Sequence, residues 1–153
     1  MRFLTSSTLA LLLMTTSHSY AESRPFLTTA DALNGLQGCY KMAEKNGWNL
    51  AITIIDRGAN TVSSLRMDNA LSAASTGAEL KAQTALAWGS STSRVAEIVK
   101  KKPEFNQFPG LLPIAGGEPI TAPDGTLIGA VGVAGGLTLH DQECAKAAVA
   151  AMQ

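Results

Sequence analysis

Apolar residues recur along the chain in two rhythms, one helical and one alternating, and the changes between them mark out the elements. From Thr28 the spacing is helical. Leu33, Leu36, Tyr40 and Ala43 share a stripe, with Cys39 beside it. Thr28-Thr29-Ala30-Asp31 supplies a start, a hydroxyl for the first free amides and a carboxylate in the first turn, and Asn46-Gly47 a left-handed stop. Trp48 to Ile55 then reads as a strand, Asp56-Arg57-Gly58-Ala59-Asn60 as a turn and Thr61 to Met67 as a second strand, together a hairpin. Asp68-Asn69 opens a loop. Leu71 to Trp88 is rich in Ala and in helix formers such as Glu79, Leu80, Lys81 and Gln83, and ends at Gly89. Ser90 to Ser93 offers caps for a shorter amphipathic helix carrying Val95, Ile98 and Val99, which Pro103 stops. Phe105 and Phe108 are expected beneath the following loop.

From Gly110 onward the chain is dense in Gly and Pro, yet Ile114, Ile120, Leu127, Ile128, Val131 and Val133 punctuate it at strand spacing. Pro123-Asp124-Gly125 is a turn, so a strand is predicted on each side of it. Thr138-Leu139-His140-Asp141 repeats the capping logic of the first helix and opens a last, Ala-rich helix to Met152, with Cys144, Ala148 and Ala151 on one face. Helix, hairpin, two helices, two strands, helix is an α+β order, and the hairpins imply a mainly antiparallel sheet.

The first residues break the pattern. Arg2, an apolar run centred on Leu9 to Met14 and then Ser19-Tyr20-Ala21 read as a secretory signal peptide over residues 1–21, cleaved before Glu22. The run is much shorter than the roughly 20 residues that span a bilayer. Residues 22–153 are then one domain, and the expected location is the periplasm or the medium. The formal charge is balanced, 12 Lys and Arg against 12 Asp and Glu. Lys100-Lys101-Lys102 sits at a helix end, where cations complement exposed carbonyls, and no basic patch interleaved with aromatics appears; nucleic acid is not an expected partner.

Export also changes the reading of the thiols, because Cys39 and Cys144 would meet an oxidising compartment. Their separation fits neither a CxxC motif nor a zinc site. If the terminal helices lie side by side on one sheet face, the two could pair.

Cleavage would leave His140 as the one imidazole, since His18 falls in the leader. Without a G-x-S-x-G elbow and with both cysteines on packed faces, nucleophilic catalysis is discounted. Gly116-Gly117 before Glu118 is able to present amides to an anion, although a plain turn explains it as well. Arg66 and Lys81 near a strand end are two cations able to hold a carboxylate, with Asp68 orienting Arg66; a surface ion pair is the bland alternative.

Taken in order, Asp56-x-Gly58, Leu65-Arg66-Met67-Asp68, Lys81-Ala82-x-Thr84-Ala85, Pro109-Gly110 with Pro113, and Gly116-Gly117-x-Pro119-Ile120 make a pattern. It continues as Asp124-Gly125-x-x-Ile128-Gly129-Ala130-Val131-Gly132-Val133, then Gly135-Gly136 and Asp141. The chain thereby resembles the GlcG/HbpS family of haem-binding proteins, related to the C-terminal domain of PduO. The resemblance implies a profilin-like fold, a five-stranded antiparallel sheet with the N- and C-terminal helices packed on it, and a homo-oligomer. In exported members it implies haem binding, haem degradation or redox sensing beside a membrane sensor protein. A non-enzymatic module for a small carboxylate is the alternative. Carried over by position, the ligand pocket falls on Arg66, Met67, Asp68 and Lys81, closed by Pro113, Gly116 and Gly117, with Arg66 and Lys81 facing haem propionates. His140 is the candidate iron ligand; members often carry Gln there, and Met67, Tyr40 or a hydroxyl are the alternatives.

Overall fold

The computed structural model describes residues 24–152; the leader expected over residues 1–21, with His18, lies outside the described residues. Helix α1 (Thr29–Asn46) begins where the sequence places it: Thr28 accepts the Asp31 amide, and its hydroxyl donates to the Asp31 carboxylate. It ends at Gly47, whose φ of 69° is the left-handed turn that glycine adopts without steric cost. Strands β1 (Ala51–Asp56) and β2 (Thr61–Arg66) form the hairpin. The Asp56-x-Gly58 motif organises its turn: the Asp56 carboxylate accepts the Gly58 and Asn60 amides and the Asn60 side chain, bonds that hold its pKa below the usual carboxylate value. Helix α2 (Ser72–Trp88), helix α3 (Thr92–Lys101, capped by Ser91) and a 3-10 turn (Pro103–Gln107) follow. Phe105 meets Trp88 edge-on, but Phe108, expected under the loop, is 61% exposed.

Strands β3 (Gly117–Thr121) and β4 (Leu127–Ala134) flank the Pro123-Asp124-Gly125 turn, and helix α4 (Thr138–Ala150) closes the chain. The sheet is antiparallel in the order β2-β1-β4-β3. Among the described residues it has four strands, not the five that the resemblance implies. The stretch before β3 makes no strand pairing: Pro109 and Pro113 have no amide to give, and Gly116 turns at φ 121°. A single backbone bond, Val133 amide to Gly116 carbonyl, joins that stretch to β4.

The sheet has a helix layer on each face. Ile52, Ile54, Val131 and Val133 point toward α1 and α4, where they meet Leu36, Ala43, Ala145 and Ala148. Ala51, Ile55, Ala130 and Ala134 point toward α2 and its Ala74, Ala78, Ala82 and Ala85. Cys39 and Cys144, both fully buried, join α1 to α4 as a disulfide with Cα atoms 4.6 Å apart. A cross-link over 105 residues stabilises a fold by about 2–4 kcal/mol, mainly by restricting the unfolded chain. No helix among the described residues is long and apolar enough to cross a membrane.

Candidate functional site

Lys81 lies on the buried stripe of α2, between Ala78 and Ala82, and is 3% exposed. Its ammonium donates to the Val133 carbonyl at 2.9 Å and to the Asp141 carboxylate at 2.7 Å. The other Asp141 oxygen accepts the Gly136 amide at 2.9 Å. Thr138, expected to cap α4, is its first residue; Leu137 is the cap residue, with no side-chain bond, and the Asp141 carboxylate of the first turn points inward to the lysine. The pair ties the helix on one sheet face to a helix on the other at the end of β4. Gly116 closes over it, since a Cβ there would stand 2.9 Å from the Lys81 ammonium and 2.8 Å from Asp141 Cβ. Gly117 packs on the Lys81 carbonyl, and its amide donates to the buried Thr92 hydroxyl at 2.8 Å. Pro113 is half-buried in the loop that the Leu112 amide pins to the Thr84 hydroxyl of α2. Gly116 and Gly117, expected to close a ligand pocket, pack directly on Lys81 and its ion pair with Asp141.

Arg66, Met67 and Asp68 stand elsewhere, in a cavity of about 300 Å³ shared with Tyr40, Glu44 and Asn49. Arg66 and Lys81, expected to hold a carboxylate together, stand apart, and Lys81 is paired with Asp141. Asp68 makes no ion pair with Arg66, whose guanidinium donates to the Ala70 carbonyl instead. Met67 is half-buried and packs against the apolar cores on both faces of the sheet. The Tyr40 phenol donates to Glu44, a bond that raises its pKa and opposes the phenolate a metal would require.

His140 occupies the first turn of α4, half-buried, with its ring flat on that of Trp48: centroids are 4.3 Å apart and the planes differ by 9°. The imidazole makes no hydrogen bond among the described residues, so its edge is free while one face is fixed. Leu137 and Leu139, 69% and 62% exposed, flank it. Trp48 was read only as the start of a strand; no local signal places an indole under a residue so distant in sequence. Lys81 was legible, because Ala74, Ala78, Lys81, Ala82 and Ala85 share the buried helical spacing.

Glu118 was overlooked as well. One oxygen of this half-exposed carboxyl is buried without a partner, and burial raises its pKa, opposed by Lys146 and Gln142.

Comparison with known proteins places these features in a family. A family model described as haem degrading protein HbpS-like matches residues 27–150. Protein GlcG of Escherichia coli K12 is 35% identical over 92 residues, 60% of this chain and 68% of that protein. A double mutant of HbpS from Streptomyces reticuli superposes with a TM-score of 0.80 at 31% identity, over 92% of this chain and 97% of that one. A haem complex of PduOC superposes with a TM-score of 0.76 at 26% identity, over 83% and 95%. With a match over nearly all the described residues and the same layered sheet in its solved relatives, the chain belongs to the HbpS-like family.

Proposed function

We propose that this protein is an exported haem-binding protein and that His140 is its iron ligand. The observation that carries the reading is the His140–Trp48 stack. Stacking holds one face of the imidazole, so a ring nitrogen is presented edge-on from a fixed plane, as axial ligation needs. Exposed Leu137 and Leu139 beside it offer apolar contact to a macrocycle. Family membership supports the ligand class, since one solved relative is a haem complex. The buried Cys39–Cys144 disulfide supports export, being the covalent form that an oxidising compartment maintains.

The residues present fit haem in part. Arg66 pairs in the sheet with Ala51, three positions beyond Trp48, and its exposed guanidinium keeps donors for a propionate. Lys81, buried and paired, does not serve. The small-carboxylate reading loses its clamp for the same reason: Arg66 alone remains, beside Glu44 and Asp68, whose charges oppose an anion. Haem capture for sequestration or for presentation to a membrane sensor is the role proposed, and degradation would be a further step on the same bound haem.

Hemin titration followed in the Soret region tests the reading. A saturable, shifted band that His140→Ala alters, with quenching of tryptophan fluorescence that Trp48→Leu reduces to the share of Trp88, is the expected result. No band at micromolar protein sinks it.

A further inference from the structure

A cavity lies at the other end of the α1/α4 layer. Its floor is apolar, formed by Leu27 before α1, Ile120 of β3, Ile128 of β4, and Val149 and Met152 at the end of α4, with Phe26 on the rim. Its volume, about 750 Å³, falls within the roughly 300–1,000 Å³ of small-molecule sites. The haem site proposed above is at the start of α4, and Val149 of the groove stands nine residues beyond His140 on that helix, roughly 14 Å along the axis.

What the groove lacks narrows its ligand. Among the described residues no imidazole, thiolate or phenol lines it. Its one soft atom belongs to Met152, whose methyl packs on Gly35 of α1 and is committed to holding the two helices together. A metal-bearing ring gains nothing there that it does not find at His140. A metal-free apolar body does.

Charge at the mouth sets the polar end. Arg24 and Asp31 both line the groove. The Asp31 carboxylate is engaged by the Thr28 hydroxyl, and it sits in the first turn of α1, where the helix dipole offsets its charge. The Arg24 guanidinium, with its planar fork of donors, is the group suited to a carboxylate.

We propose that this groove binds a long-chain carboxylic acid, its hydrocarbon on the apolar floor and its carboxylate on Arg24. Each added methylene buries more apolar surface, so chain length sets affinity and the acid group sets orientation. The site is independent of the haem reading.

The test uses the protein purified from the host that exports it, with cis-parinaric acid as the fluorescent probe. A saturable rise in emission at one site per chain is expected, reversed by palmitic acid and far less by hexadecanol. Arg24→Gln should weaken the acid about tenfold, a change of about 1.4 kcal/mol, and leave the alcohol unmoved. Ile128→Glu should abolish binding; Thr121→Glu, at an exposed position of the mouth, should weaken the acid by repelling its carboxylate, without a core change. His140→Ala should leave the titration unaltered. The proposal is overturned by the absence of saturable emission, by indifference to both groove variants, or by stoichiometric displacement of the probe with hemin, which would give the groove to the tetrapyrrole.

Discussion

The two faces of the sheet are held by different means. Toward α1 and α4 the contact is built of bulk: Leu36, Leu50, Ile52, Ile54, Val131 and Val133 fill the space, and a disulfide cross-links the two helices. Toward α2 it is built of closeness. Alanines on the helix face Ala51, Ala130 and Ala134 on the strands, and Gly132 brings β4 directly beneath the backbone of Ala78 and Ala82. Small residues bury little area each, so the attraction on that face comes from dense backbone contact and from the buried Lys81–Asp141 pair. A bulky face tolerates small losses of volume and suffers from large ones, whereas a close face tolerates no gain at all.

Adding volume to the close face is the strongest way to break that contrast. A Cβ on Gly132 would fall within the van der Waals radius of the Ala78 carbonyl oxygen, and α2 has no side chain there to move aside. Gly132→Val is therefore expected to exceed the usual 1–3 kcal/mol of overpacking and to leave no cooperative unfolding transition by circular dichroism. On the bulky face the opposite change is mild. Ile52→Val should cost about 0.5–1.5 kcal/mol by urea denaturation.

The ion pair comes next. Asp141→Asn leaves the Lys81 ammonium buried against a neutral amide, and the loss of stability should be about 3–5 kcal/mol. Replacing both partners, Lys81→Met with Asp141→Leu, removes the stranded charge and should recover most of that loss. If the double variant is as unstable as the single one, the pair acts through the Val133 and Gly136 hydrogen bonds and not through its charges. Hemin binding should survive in the double variant, because His140 and Trp48 are unchanged by it.

The sequence was most informative where the cause is local. Thr28 caps α1, Gly47 and Gly89 end two helices and Asp56 shapes a turn, each by bonds to residues no more than five positions away. The antiparallel order followed from hairpin turns. The candidate site was harder, because its contacts join residues far apart in the chain. Arg66 and Lys81 are close in sequence but are drawn to different places, one to the end of β2 and the other beneath Gly116. Asp141 has the spacing of a first-turn carboxylate, yet a buried ammonium makes the stronger claim on it. His140 stands out in the sequence as the imidazole beyond the expected leader, but nothing in its neighbours foretold Trp48.

The smallest expected effect lies at the sheet edge, where the two layers meet. Glu118 of β3 faces Gln142 and Lys146 of α4, and Gln142 in turn donates to the Ser93 hydroxyl of α3 at 3.1 Å. Burial of one oxygen without a partner raises the Glu118 pKa above its ordinary 4.5. In the unfolded chain the carboxyl ionises at about that ordinary value, and in the folded protein only at a higher pH. Its burial is thus fully tolerated below pH 4.5, and stability is given up as pH rises through the raised value. Glu118→Gln removes this term. The variant should match the parent under acid conditions and exceed it at neutral pH by well under about 1 kcal/mol, because the carboxyl is half exposed and solvent screens it. Melting temperatures of the two proteins between pH 4 and 8 (roughly the range over which carboxyls and histidines titrate) check the sign. A variant less stable than the parent at neutral pH, with the difference closing toward acid, would mean that Lys146 dominates the carboxyl and that the edge is held by charge.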